Sequence, residues 1–181
     1  MSIQLEVIHG ARLDPRLRAE IVALCEAAYN EDFSTIFEEF TGTVHVIARD
    51  AQGTLASHAM WVTRWLQPEG HSPLRTAYVE AVATAPDRQG HGFGTAVMER
   101  LVGAVKEDPA WQLVALSPAV PEFYARRGWK SWLGPLAIRR DGTIEPSPRD
   151  ELVMFQRLPQ TPGTIDASSL LTAEWRVGEL W

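Results

Sequence analysis

The segment "DRQGHGFGTAVMERL", residues 87–101, decides the fold because it places three glycines within five residues, directly before an amphipathic helix. The preceding "RTAYVEAVATA" is rich in β-branched and small residues and ends before Pro86, which predicts a strand. The helix is expected from about Gly94 to Lys106. A glycine turn between a strand and a helix can direct backbone N–H groups at an anion, because a helix N-terminus carries partial positive charge.

The glycine spacing excludes two common phosphate-binding motifs. A dinucleotide fingerprint needs a third glycine where this chain has Val97, and a P-loop needs a Gly-Lys pair that the segment lacks. What remains is Gln89-x-x-Gly92-x-Gly94, in which absent side chains would let a phosphate approach the backbone. A loop that only turns the chain is the alternative.

The remaining pattern predicts a mixed arrangement of strands and helices. Alternation over residues 3–8 indicates a strand, and Asp14-Pro15 is typical of the start of a helix. Further expected elements are a hairpin around the turn at residues 50–53, a strand at 111–117, a short helix at 121–128 ended by Gly128, and strands in 129–140 and 151–158 around a turn at residues 141–142. We expect an α/β (α+β) fold, with a mixed central sheet of about seven strands flanked by helices. The length predicts a single domain over residues 1–181.

Composition restricts the partners. The chain has 181 residues, a formal net charge of −6 and a pI of about 5.4, which disfavours nucleic acid and anionic membranes as partners and suits a cationic or neutral one. Cys25 is the only cysteine, and the five histidines are scattered, so no internal disulfide and no metal site are expected. The absence of a leader or a long apolar run predicts a cytoplasmic protein.

The stretch "VEAVATAPDRQGHGFGTAVMERL" resembles the acetyl-CoA-binding motif of the Gcn5-related N-acetyltransferase (GNAT) family, and "EFYARRGW" resembles a later helix of that family. The segments "EDFS", "YVEAVA", "QLVALS", "YARRGW" and "EWRVGELW" are similar to those of aminoglycoside 2′-N-acetyltransferases within it. The resemblance implies the GNAT fold and transfer of an acetyl group from acetyl-CoA to an amino group of an aminoglycoside, as in antibiotic resistance.

The resemblance also implies roles for particular residues. Glu80 would accept the amine proton, Tyr124 would donate a proton to the sulfur of coenzyme A, and the backbone N–H of Val82 would donate to the acetyl carbonyl. The cofactor-binding set that it implies is Val82, Ala83, Thr84, Gln89, Gly90, His91, Gly92, Phe93, Gly94 and Thr95. Outside the family context, Glu80 could be a solvated strand carboxylate and Tyr124 a core side chain.

Recognition of a polycationic aminoglycoside should depend on carboxylates. The substrate-binding set carried over from the resemblance is Asp32, Glu80, Ala81, Ser117, Asp150 or its neighbour Glu151, Glu179 and Trp181. Residues 162–181 are expected to pack into the substrate site, with Trp175, Leu180 and Trp181 as apolar anchors for the terminal carboxylate. A tail packed for stability alone is the alternative.

Two departures from the family pattern concern substrate choice. Ile36 or Phe37 stands where the family has a second aspartate, so Glu38 or Glu39 is a candidate replacement, and Glu179 replaces the usual aspartate. A GNAT enzyme for another amine (a polyamine, an amino sugar or a peptide N-terminus) and a non-catalytic acyl-CoA-binding module are the alternative functions. A homodimer is also expected from the number of apolar residues beyond the core strands.

Overall fold

The structure is a computed structural model that describes residues 3–181, and the side chains of Ile36 and Glu39 lie outside what it describes. Among residues 3–181, ten strands pair into a mixed β-sheet. In chain order they are β1 (Gln4–His9), β2 (Val44–Arg49), β3 (Leu55–Pro68), β4 (Leu74–Thr84), β5 (Leu113–Leu116), β6 (Lys130–Ser131), β7 (Leu136–Arg140), β8 (Thr143–Pro146), β9 (Met154–Arg157) and β10 (Leu171–Glu174). The α-helices are α1 (Pro15–Tyr29), α2 (Ile36–Glu39), α3 (Phe93–Glu107) and α4 (Pro121–Ala125). Within residues 3–181, no helix has the length and apolar character needed to cross a membrane.

The contacts divide the described chain into two compact units, and the long strands β3 and β4 contribute residues to both. The first unit consists of residues 3–62 and 79–107. In it, β2 pairs antiparallel with β1 and with the first part of β3. Residues 44–48 of β2 are all buried, which requires apolar cover on both faces of the strand.

The helix α1 supplies one of these covers. Its buried residues Ile21, Leu24 and Cys25 pack in one cluster with Ile47 of β2. The Asp14 carboxylate accepts a hydrogen bond from the Leu17 amide at 2.8 Å, so the predicted cap at Asp14-Pro15 is confirmed. The predicted glycine-loop helix is confirmed as α3, which packs against β1 and β2.

The second unit consists of residues 63–78 and 108–181. In it, β4 pairs parallel with β5 from Thr76 to Tyr78, and β9 pairs antiparallel with both β5 and β6. The strand β10 lies between the last part of β3, to which it is antiparallel, and β7, to which it is parallel. The strand β8 pairs antiparallel with β7.

The sheet has more strands than the sequence predicts, and two of the differences have clear causes. The turn at Asp141-Gly142 leads directly into β8, an exposed edge strand whose residues give no alternating apolar pattern. The segment 162–181 contains β10, whose four residues are too few for a periodic signal. The helix α4 ends at Ala125, before Gly128, which instead has a φ of +79° in the turn that follows.

Candidate active site

The strand β4 carries Glu80 and bends at the residue that follows it. Ala81 has a φ of +50°, one of three positive values found among the non-glycine residues that the structure describes. A left-handed backbone costs a residue with a Cβ about 1–2 kcal/mol, so other interactions must hold the bend in place. Glu80 is half-buried, and so are Ala81 and Val82.

Side chains hold four consecutive backbone carbonyls after Glu80. The donors to the carbonyl oxygens of residues 81, 82, 83 and 84 are His58 Nδ1 (2.9 Å), the Tyr29 hydroxyl (2.8 Å), the Ser57 hydroxyl (2.8 Å) and the Gln89 side-chain amide (3.3 Å). His58 is the donor in the first of these bonds because a carbonyl oxygen can only accept. The structure therefore brings Glu80, Ala81, Val82, Ala83, Thr84 and Gln89 together along one bent segment that is held by side chains.

An ion pair fixes the turn that connects β4 to the glycine loop. The guanidinium of Arg88 lies 3.2 Å from the Asp50 carboxylate, at the turn between β2 and β3, and 2.6 Å from Asp87. Burial would raise the pKa of Asp50, but hydrogen bonds from Thr54, Arg88 and Gln52 hold that pKa below its usual range. Asp50 therefore stays ionised and anchors Arg88, next to Gln89.

The glycine loop has the geometry of an anion-binding turn. Gly90 and Gly92 have φ values of +77° and +86°, and a Cβ at either position would meet no atom within 4 Å. The loop from Gln89 to Gly92 is exposed, while Phe93, the first residue of α3, is fully buried and anchors the helix. The amides of Phe93 and Gly94 belong to the first turn of α3, where N–H groups have no partner within the helix. This open and amide-rich turn fits the diphosphate of coenzyme A.

Asp32 is placed in the first unit but on its surface. Its carboxylate accepts a hydrogen bond from the Ser34 amide at 2.8 Å, and this bond lowers the pKa of Asp32. The side chain is exposed and remains ionised. The side chain of Glu39, proposed as an alternative acid, lies outside the described residues.

Tyr124, on α4, belongs to the second unit and is buried. Its ring makes edge-on contacts with Phe123 and Trp129, with centroid distances of 5.0 and 5.8 Å. Burial raises the pKa of Tyr124 to about 12, against a smaller opposing effect of Arg127. The phenol therefore keeps its proton at neutral pH, as a proton donor must.

Three predicted substrate acids lie close together in the second unit. Burial and the charges of Asp150 and Glu179 raise the pKa of Glu151 above its usual value. Glu151 also lines a small pocket of about 80 Å³ together with Trp181. Crowded carboxylates of this kind are stabilised by a bound cation, because it removes their mutual repulsion. Ser117, by contrast, is an exposed residue directly after β5.

Both apolar and polar contacts hold the tail. Trp181 is buried and its indole N–H donates to the Ser147 hydroxyl at 2.7 Å, but Trp175 and Leu180 remain 40% and 36% exposed. A further anchor, not predicted from the sequence, is Arg64, a buried guanidinium that donates to the carbonyls of Leu180 and Glu174 at 2.6 and 2.7 Å. Trp175 lies against the guanidinium of Arg140, 4.4 Å from the centre of its ring, and Leu180 lines the same pocket as Trp181. That these side chains anchor the terminal carboxylate in the substrate site stays a prediction.

Several residues that shape the site were not predicted from the sequence. The most important are His45 and His58, which lie on neighbouring strands with Nδ1 of His45 2.9 Å from Nε2 of His58. The available signal was their position within two strongly apolar strand patterns, where a polar residue must find a partner. Their pairing depends on the register of β2 against β3, which the sequence alone does not define.

Comparison with known proteins identifies the family of the chain. Residues 16–131 match the family model of the acetyltransferase (GNAT) domain. The chain is 31% identical over 180 residues to an aminoglycoside 2′-N-acetyltransferase of Mycolicibacterium fortuitum, covering 97% of this chain and 90% of that protein.

Solved structures match the fold. One match is the GNAT family N-acetyltransferase YhbS of Escherichia coli, solved in complex with CoA. It superposes with a TM-score of 0.65 at 16% identity, and the match covers 98% of this chain and 96% of the YhbS chain. Escherichia coli ElaA gives a TM-score of 0.62 at 15% identity over 86% of this chain and 100% of its own. Eis1 of Mycobacterium abscessus matches 73% of this chain with a TM-score of 0.59 at 20% identity. This chain spans only 32% of Eis1, and only 33% of a probable N-acyltransferase of Enterococcus faecalis. The chain has the mixed sheet and flanking helices of these proteins and belongs to the GNAT family of acetyl-CoA-dependent N-acetyltransferases.

Proposed function

We propose that this enzyme transfers the acetyl group of acetyl-CoA to the 2′-amino group of an aminoglycoside. The observation that carries the choice of substrate is the group of acids formed by Asp150, Glu151 and Glu179, in which the pKa of Glu151 is raised by burial and by its charged neighbours. A multiply charged amine would neutralise such a group. The identity with a protein named for this activity supports the same assignment.

We assign the binding of acetyl-CoA to residues 82–84 and 89–95. The diphosphate would lie on the glycine loop, where Gly90 and Gly92 leave open space and the N-terminus of α3 supplies partial positive charge. The bound cofactor supplies an acetyl thioester. The Val82 amide would donate a hydrogen bond to the acetyl carbonyl, where negative charge develops during transfer.

Two side chains would move the protons. An amine attacks only when neutral, so Glu80, half-buried before the bend in β4, would accept a proton from the substrate ammonium, directly or through water. A new C–N bond then forms as the C–S bond breaks, and the phenol of Tyr124 would protonate the departing thiolate. With a pKa of about 12, Tyr124 is protonated before each turnover.

A second candidate is acetylation of another amine by the same residues. Glu179 stands where the resemblance to aminoglycoside 2′-N-acetyltransferases implies an aspartate, and one more methylene changes the reach of its carboxylate. Polyamines and other amino sugars would satisfy the same acidic group. Membership of an acetyltransferase family argues against a non-catalytic acyl-CoA-binding module.

An acceptor panel tests the proposal. Purified enzyme is mixed with acetyl-CoA and with aminoglycosides that have or lack a free 2′-amine, and with polyamines, amino sugars and peptides, while release of coenzyme A is recorded. Turnover restricted to 2′-amino aminoglycosides, with NMR mapping of the product to the 2′-nitrogen, is the expected result. Glu80→Gln should lower kcat by about 10²–10⁴-fold without weakening CoA binding. Turnover of other amines alone would refute the substrate assignment.

A further inference from the structure

A buried chain of hydrogen bonds connects β2 and β3 to the bend in β4. Thr43 Oγ1 lies 2.9 Å from His45 Nε2, His45 Nδ1 lies 2.9 Å from His58 Nε2, and His58 Nδ1 lies 2.9 Å from the Ala81 carbonyl oxygen. Both imidazoles are fully buried, and Thr43 is buried as well. These four residues, called here the histidine chain, all belong to the first unit.

The direction of the histidine chain follows from its last acceptor. A carbonyl oxygen cannot donate, so His58 must carry its proton on Nδ1, and in neutral His58 the Nε2 atom is then an acceptor. His45 must therefore donate from Nδ1 and accept at Nε2 from the hydroxyl of Thr43. One arrangement of protons satisfies all three bonds while both rings stay neutral.

Two features keep this arrangement in place. Burial, the neighbouring His58 and the charge of Arg18 lower the pKa of His45 to about 3, and burial lowers that of His58 to about 4, so both rings are neutral at physiological pH. At the far end, the Gly10 amide donates to the Thr43 carbonyl at 2.8 Å. A Cβ at Gly10 would overlap the hydroxyl oxygen of Thr43, so a side chain there would displace that hydroxyl.

The histidine chain acts on a peptide unit that the proposed chemistry uses. The carbonyl of Ala81 and the amide of Val82 belong to the same planar trans peptide, so they point in opposite directions. Holding the carbonyl oxygen on one side therefore orients the N–H on the other. A hydrogen bond accepted by a carbonyl also polarises its peptide, which makes the N–H a stronger donor.

We propose that Thr43, His45 and His58 are positioning residues for acetyl transfer, which hold the Ala81 carbonyl and thereby aim and polarise the Val82 amide beside Glu80. Tyr29 and Ser57 hold the next two carbonyls, but only His58 binds the carbonyl of the residue with positive φ. The inference rests on the proposed role of the Val82 amide as the donor to the acetyl carbonyl.

Two substitutions at one position provide the test. In His58→Asn, the amide nitrogen occupies the place of Nδ1 and can still donate to the Ala81 carbonyl. In His58→Gln, the amide reaches the place of Nε2 and leaves that carbonyl without its donor. Both variants are neutral and polar, so they differ mainly in which end of the imidazole they replace. Val46→Ala, a buried change in the same strand as His45 but on its opposite face, is the control for lost stability.

His58→Gln should lower kcat by about 10- to 100-fold, part of the effect of losing an oxyanion donor. Its Kd for coenzyme A should stay within about twofold of wild type, because the glycine loop binds the diphosphate. His58→Asn should recover most of kcat, and Val46→Ala should retain it. Equal loss of kcat in His58→Asn and His58→Gln, or the same loss in Val46→Ala, would overturn the inference.

NMR provides a readout that needs no acceptor. In the wild-type enzyme, imidazole ¹⁵N spectra should show His45 and His58 both protonated on Nδ1, and a proton on Nε2 of either ring contradicts the histidine chain. With coenzyme A bound, the Val82 amide proton should shift in His58→Gln but not in His58→Asn. Failure of the acceptor panel would refute the proposed function, whereas these spectra decide the role of the histidine chain independently.

Discussion

The two buried imidazoles should make the stability of the protein fall sharply in mildly acidic solution. In the folded protein the pKa values of His45 and His58 are about 3 and about 4, whereas the unfolded value is 6.5. Because the folded pKa is the lower one, unfolding takes up protons below pH 6.5. The stability that the neutral rings contribute is therefore present above that pH and is lost as the pH falls towards 4.

The magnitude follows from the size of the shift. Between about pH 7 and about pH 5.5, each ring should cost the folded state about 1.2 kcal/mol, since one pKa unit corresponds to about 1.36 kcal/mol. The two rings together should cost about 2.5 kcal/mol. Paired carboxylates such as Asp50, whose pKa is lowered, titrate below this window and do not contribute to it.

Urea denaturation at the two pH values measures the effect. The free energy of unfolding should drop by about 2.5 kcal/mol in the wild-type enzyme and by about half of that in His58→Asn, which keeps one imidazole. The difference between the two proteins removes the contribution of every other titrating group. A wild-type stability that is flat across this window, or an identical drop in His58→Asn, would show that the rings are not held neutral by burial.

Three other changes test the site. Gly92→Ala should lose about 1–2 kcal/mol of stability because of its positive φ, and its affinity for coenzyme A should fall at least about tenfold. Gly53→Ala, with a φ of +82° at a hairpin turn, is the control and should lose stability alone. An equal loss of affinity in both variants, measured by calorimetry with coenzyme A, would contradict this prediction. Tyr124→Phe should lower kcat by about tenfold or more in the coenzyme A release assay while the Kd for coenzyme A is unchanged, and full activity would exclude the phenol as the proton donor. Glu151→Gln should raise KM for a cationic acceptor several-fold in steady-state assays, and an equal rise in Glu69→Gln, at an exposed loop position, would mean that the effect is not local.

The parts of the fold that the sequence predicts are those with local signals. Three such features depend on consecutive residues only: the Asp14-Pro15 cap, the hairpin turn at residues 50–53 and the helix after the glycine loop. The structure confirms all three. The short strand β10 forms by pairing with strands that are distant in sequence, and β8 lies at an exposed edge of the sheet. Neither strand therefore has a periodic apolar pattern that could be recognised locally.

The same difference between local and non-local signals applies to the site. The open glycine loop after β4 could be predicted because glycine positions carry conformational meaning by themselves. The bend at Ala81 could not, because alanine rarely has a positive φ and is held there by His58, which lies on another strand. The anchoring of the tail by Arg64 was missed for a related reason, since a lone arginine in a strand is normally solvated and its partners lie more than a hundred residues away. The roles of Glu80, Tyr124 and the substrate acids remain predictions, as do the single domain, the homodimer and the cytoplasmic location.

The position of β10 has a consequence for how the protein is made. Residues 171–174 leave the ribosome after β3 and β7, yet they lie between these two strands. Until then, those two strands expose unpaired backbone groups on the nascent chain, which is the condition under which strands associate with other molecules. Premature stop codons just before residue 171 should therefore give insoluble product, and the yield of intact enzyme should depend on chaperones that shield late-folding chains.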